Sequence, residues 1–137
     1  MATKIFANLP VADLARSRAF FEALGYSFNK QFSNEKGACL VLDENFFAML
    51  LTHELFSSFA PHKAIAGKGS SEVMLAFDMP TAEAVRDLCA RALALGATPV
   101  RETQELGFMV SAAFEDLDGH IWEPFWMDPK AVAPAEA

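Results

Sequence analysis

The sequence predicts an α+β fold in which one β-α-β-β-β unit is used twice. Three observations carry this reading. Strand-like and helix-like runs occur in the same order in both halves. Ala-Leu-Gly closes both helical stripes, with Gly25 and Gly96 lying 71 residues apart. A turn signal precedes the last strand-like run of each half, at Asn45 and at Gly119, 74 residues apart. Direct identity between the halves is slight, so the repeat rests on order and spacing.

The first half opens with the short apolar run from Lys4 to Leu9, ended by Pro10. Asp13 is placed to cap a helix, and Leu14, Ser17, Phe20, Phe21 and Leu24 follow on one stripe. Gly25 stands where a left-handed residue would end that helix. Strand-like runs then cover Tyr26 to Phe32, Ala38 to Asp43 and Phe46 to Thr52, the last two joined by a polar turn. In the second half Glu72 to Phe77 reads as the opening strand and Thr81 as the next cap. Val85, Leu88, Cys89, Ala92 and Leu95 form the stripe, and Gly96 stops it. Strands are expected at Thr98 to Glu102, Phe108 to Phe114 and His120 to Trp126, with Asp118-Gly119 as the last hairpin turn.

These runs predict a single domain over residues 1–128, with module one at 3–52, a linker at 53–71 and module two at 72–128. The linker is long for a plain loop, and Leu55, Phe56 and Phe59 predict a short apolar turn inside it. Residues 129–137 lack periodicity and read as a flexible tail.

At 137 residues, 53% hydrophobic and 21% charged, the chain can bury a sizeable core. No apolar run is long enough to span a membrane, and the first residues lack a signal-peptide pattern, so a cytoplasmic protein is expected. A formal charge of −7 argues against a nucleic-acid partner, whose phosphates need lysines and arginines. The two cysteines fall in apolar runs and read as buried free thiols, not as zinc ligands. There is no nucleophile elbow, P-loop or dinucleotide fingerprint, so no nucleotide cofactor is expected.

Three stretches go further: Asn8-Leu-Pro-Val-Ala-Asp-Leu14, Phe20-Phe21-Glu-Ala-Leu-Gly25, and Phe114-Glu-Asp-Leu-Asp-Gly-His-Ile-Trp-Glu123. With the doubled unit, they make the chain resemble the vicinal oxygen chelate superfamily over roughly residues 3 to 128. Glyoxalase I, extradiol dioxygenases and the bleomycin and fosfomycin resistance proteins belong to it. The nearest likeness is to a small group of predicted lactoylglutathione lyase relatives. The resemblance implies two βαβββ modules forming an open cup-shaped sheet around a cleft, and a homodimer. It also implies a site on the first and last strands of each module, where metal-using members place His or Glu.

Carried over residue by residue, those positions fall on Phe6, about Leu50, Glu72 and Glu123. Only Glu72 and Glu123 can ligate a metal, so the implied site is half apolar. A hard divalent ion on two carboxylates and water remains open, with Asn8 as a weak further oxygen donor. A histidine-rich site does not, because His53, His62 and His120 miss the matched positions. Glu123 is flanked on its strand face by Ile121 and Phe125, which predicts a carboxylate in a partly apolar cleft. It is the candidate catalytic residue. Phe6, Asn8, Leu50 and Phe108 are the candidate pocket residues, with Trp126 beside them. Two functions stay open: a glyoxalase-like lyase or isomerase with a degenerate metal site, and a non-catalytic drug- or metabolite-sequestering protein of the bleomycin-resistance type. Either takes a small-molecule ligand, without nucleic acid or membrane.

Overall fold

A computed structural model describes residues 3–131 of the chain, which divides into two compact units, Met1–Ser70 and Ser71–Ala137.

In the first unit, β1 (Ile5–Val11) is followed by α1 (Leu14–Ala23), β2 (Ser27–Asn29), β3 (Gly37–Asp43), β4 (Phe46–Thr52) and α2 (His53–Phe59). The sheet order is β1-β4-β3-β2. β1 runs parallel to β4, so the unit's first and last strands lie side by side. Asp13 caps α1 by accepting the Arg16 N–H at 3.0 Å. The helix closes in a Schellman motif: Gly25, at φ 103°, donates to the Glu22 carbonyl, and Tyr26 donates to that of Phe21. Leu14, Phe20, Phe21 and Leu24 turn to the sheet and bury with Val11, Leu40, Ala48 and Leu50. Each large side chain removed from water there contributes about 1.5–3 kcal/mol.

The second unit comprises β5 (Met74–Asp78), α3 (Ala82–Ala94), β6 (Thr98–Pro99), β7 (Gln104–Glu105), β8 (Met109–Ser111), β9 (Phe114–Glu115) and β10 (Ile121–Met127). β10 is central. It pairs parallel with β5 along one edge and antiparallel with β9 and then β8 along the other. Thr81 caps α3, accepting the Ala84 N–H at 3.0 Å. Gly96, at φ 105°, ends it with the same Schellman pair, to Leu93 and Ala92. Val85, Leu88, Cys89 and Ala92 pack on the face of the sheet that carries Phe114 and Trp122.

The α+β class and the doubled β-α-β-β-β plan are as expected, with local differences. Tyr26 to Phe32 is not one strand. Asn29 accepts the Gln31 N–H at 2.9 Å and its carbonyl takes the Ser33 hydroxyl at 2.6 Å, which turns Lys30–Phe32 into a 3₁₀ turn. The Thr98 strand stops at Pro99, which has no N–H to carry a ladder on. The Phe108 to Phe114 run is split into β8 and β9 around Ala112 and Ala113. The first strand of this unit starts at Met74, and Glu72 lies before it in a bend. The linker's apolar turn is the helix α2, capped by Thr52. Of the expected tail, Pro129 to Ala131 form a turn on Asp128, and residues 132–137 lie outside the described residues.

Candidate binding site

Side chains alternate across β10, so Ile121, Glu123 and Phe125 share one face and Trp122 and Pro124 the other. Trp122 and Pro124 are buried on the helix side, and the ring of Phe77 meets the Trp122 indole edge-on at 6.4 Å. Glu123 therefore projects from the open face. There it pairs in register with Ala76 of β5, a residue too small to cover it.

Its partner comes from a loop. Arg101 lies in the bend between β6 and β7, and its Nη2 reaches Glu123 Oε2 at 2.8 Å. The same Nη2 donates to the Ser111 hydroxyl at 3.3 Å. Ser111 is opposite Phe125 in the antiparallel register and so shares the face of Glu123. The ion pair is half sheltered, with the Arg101 side chain 31% exposed and that of Glu123 19%. Among the described residues, Glu123 Oε1 and Arg101 Nε and Nη1 have no further partner. The arrangement is a charge-neutral donor and acceptor set between the apolar Ile121 and Phe125.

Next to it stands a purely structural carboxylate. Asp116 accepts the backbone N–H of Asp118 at 2.9 Å and of His120 at 3.0 Å on one oxygen. Its other oxygen accepts the Trp122 indole N–H at 2.9 Å. This fixes the turn that contains Gly119, at φ 89°, and sets the start of β10. Burial pushes the Asp116 carboxyl above its usual range, against the opposing pull of His120 and of the bonds it accepts.

Within the second unit, neither Glu72 nor Phe108 lies beside Glu123 on its face of the sheet. Counting back seven residues from each helix cap (13 − 6 and 81 − 74) matches Phe6 with Met74, not with Glu72. By register, Glu72 lies four residues before Ala76, the partner of Glu123, or roughly 13 Å along an extended chain. Its bend leaves it exposed. In the first unit Phe6 pairs with Phe47 and Asn8 with Met49, so these four share a face. The Phe6 ring, 46% exposed, stacks on Phe47 with centroids 4.7 Å apart, and Asn8 is exposed beside it. Leu50 pairs with Leu9 on the opposite face and has no exposed surface. It is a core residue, and the counterpart of Glu123 in this unit is Met49. Phe108 precedes β8 and falls in step with Val110, on the face away from Glu123. A one-residue slip in strand register exchanges faces, which is why Leu50 and Phe108 are misplaced by a reading from sequence.

These placements decide the fit of a metal. Taken unit by unit, the positions that the resemblance implies for ligands hold Phe6 and Met49 in the first and Met74 and Glu123 in the second, and of these only Glu123 carries a hard-ion donor. The Glu123 carboxylate is bound by a guanidinium, which a cation would have to displace. Among the described residues no group of three or more His, Cys, Asp or Glu could hold a metal ion. The residues present do not fit a divalent ion.

Comparison with known proteins bears on the fold. A family described as bleomycin resistance protein-like N-terminal matches residues 3–42. A hypothetical protein from S. aureus shares 25% identity at a TM-score of 0.77, covering 92% of this chain and 94% of its own. A glyoxalase/bleomycin resistance protein/dioxygenase family enzyme from Burkholderia phytofirmans shares 19% at 0.76, covering 92% and 99%. This is the vicinal oxygen chelate fold. A genomically encoded fosfomycin resistance protein from Listeria monocytogenes has the same fold at 17% identity and a TM-score of 0.69, covering 95% and 97%. No curated protein sequence matches the chain. Within the vicinal oxygen chelate fold, the Asp-x-Asp-Gly-His-x-Trp-Glu stretch thus has two jobs here. Asp116 builds the turn, and Glu123 meets Arg101.

Arg101 and Ser111 are the functional candidates that reading the sequence missed. Arg101 sits in a loop without periodicity, and nothing in its neighbours marks it as the partner of a residue 22 positions on. The only available signal was charge balance, since a carboxylate between Ile121 and Phe125 needs a cation or a metal.

Proposed function

We propose that this chain is a small-molecule-binding protein with the vicinal oxygen chelate fold that works without a metal ion, of the sequestering and not the lyase type. One observation supports this above the others: Glu123, the single carboxylate at the matched positions, is paired to Arg101 at 2.8 Å. A carboxylate so held serves as a fixed hydrogen-bond acceptor in a partly apolar wall, which is what ligand pockets use for orientation. The rival reading, a glyoxalase-like lyase, draws on the Oε1 of Glu123, which has no partner among the described residues and could take a proton from a ligand. Such a lyase needs a Lewis acid to polarise the substrate oxygen, and a Glu123 carboxylate already paired to Arg101 is poorly suited to hold one.

Titration with Mn²⁺, Ni²⁺ and Zn²⁺, together with a hemithioacetal turnover assay, separates the two. The binding reading expects only millimolar or weaker metal affinity and no turnover. Stoichiometric micromolar metal binding that disappears in Glu123→Gln would overturn it.

The same reading takes the protein as a homodimer, supported by apolar side chains exposed on edge strands, Ile5 and Phe6 on β1 and Met74 on β5. Sedimentation velocity tests that directly. A net charge of −7 disfavours nucleic acid as a partner. Among the described residues no helix is long and apolar enough to cross a membrane. Two free, buried thiols fit a cytoplasmic setting.

A further inference from the structure

We propose that Arg101 and Glu123 together select an uncharged ligand group that carries a hydrogen-bond acceptor beside a donor, a carboxamide or lactam, on an apolar and preferably aromatic body. This rests on the binding reading of the same site and names the ligand class.

The argument begins with charge. Arg101 and Glu123 cancel one another at 2.8 Å. An incoming anion gains from the guanidinium but meets the carboxylate at the same place, and an incoming cation meets the reverse. Neither gains enough to offset its own desolvation in a half-sheltered site. A neutral polar group has no such penalty, provided its hydrogen bonds are met.

The unused valences of the pair then specify that group. Nη2 of Arg101 is occupied by Glu123 and Ser111, which leaves Nε and Nη1 as donors. Glu123 keeps Oε1 as an acceptor. Guanidinium nitrogens only donate and an ionised carboxylate only accepts, so the ligand must accept from the first and donate to the second. A carbonyl and an N–H on the same carbon present that pattern. A carboxylate lacks the donor, and an amidinium lacks the acceptor. The neighbouring side chains on β10, Ile121 and Phe125, are half-buried and apolar on the same face, and offer contact for a ring.

The test uses three probes of one shape: benzamide, benzoate and benzamidine. They are titrated into the full chain while backbone amide NMR shifts of β10 are followed. Wild type is expected to bind benzamide about tenfold more tightly than either charged probe, as a site built for a donor–acceptor group rejects analogues that leave its polar atoms unpaired. Glu123→Gln leaves an unopposed guanidinium and should turn the preference to benzoate. Arg101→Met leaves an unopposed carboxylate and should turn it to benzamidine. Arg101→Met combined with Glu123→Gln is neutral again and should lose the charged preferences, which keeps the test valid if one single variant folds poorly. A purely structural ion pair would weaken all three probes alike without reordering them.

If benzoate or benzamidine binds wild type as well as benzamide, with the shifts still on β10, the proposal falls and the binding reading stands. The proposal also falls if the variants keep the wild-type order. If no probe moves β10 resonances while Zn²⁺ does so tightly, both fall.

Discussion

The Asp116 carboxylate accepts the indole N–H of Trp122 at 2.9 Å across the turn that opens β10. Both groups are buried, and the same carboxylate holds two backbone N–H groups of that turn. Removing the acceptor strands the donors in the interior. Asp116→Ala is expected to lower stability by about 1–3 kcal/mol, since an unmet buried donor forfeits its full solvation. Urea denaturation followed by tryptophan fluorescence measures this. An unchanged midpoint would mean that the turn is held by other contacts.

The same residue sets a pH dependence. Its folded-state carboxyl titrates above the usual range because burial disfavours the charge. The unfolded chain releases that proton near pH 4, approximately the reference value for Asp. Between there and the raised folded value, the folded state holds a proton that the unfolded state has lost. Its contribution to stability is therefore largest below the unfolded value and falls as pH rises through the window, then stays level. The stability of wild type relative to Asp116→Asn should decline upward from about pH 4. A difference that does not change with pH would contradict the raised titration.

Leu50 and Phe6 separate core from surface. Leu50→Ala should cost about 2–5 kcal/mol, the range for a cavity under a fully buried leucine. Phe6→Ala should cost less, because nearly half of that side chain is already in water. Calorimetric unfolding of both variants gives the comparison. Equal losses would place Phe6 in a core that its exposure does not show.

Cys39 and Cys89 should be unreactive in the folded protein. Burial pushes both thiols up, in Cys89 against the smaller opposing pull of its contact with the Ala113 carbonyl. A chromogenic disulfide reagent should titrate neither at neutral pH, and both once urea is present. Prompt labelling without denaturant would reveal an opening of the core.

The doubled plan was legible because its signals are local. Asp13 and Thr81 cap helices, and Gly25 and Gly96 adopt the positive φ that ends them, each readable within one turn of chain. The face of Glu123 was legible too, from the alternation of Ile121, Glu123 and Phe125. What failed depends on register between distant strands. Glu72 and about Leu50 come from carrying the family's strand positions over residue by residue, while parallel pairing puts Ala76 beside Glu123 and Leu9 beside Leu50. α3 is also three residues longer than α1, so aligning the helix ends overstates the offset between the strands before them. Arg101 was invisible for a different reason: a loop residue acquires its partner only once the fold has placed it.

The position of β10 has a kinetic meaning. Its two edges are closed by β5, 47 residues earlier at Ile121 and Met74, and by β8 and β9 just before it. Closing the longer of these loops is entropically slow compared with forming α3. Arg101 and Glu123 come into register only when β10 has settled between its neighbours, so a half-folded second unit offers no neutral pair to a ligand. A compound that needs both groups binds the finished unit alone, and by mass action it would act as a stabiliser of the whole strand arrangement.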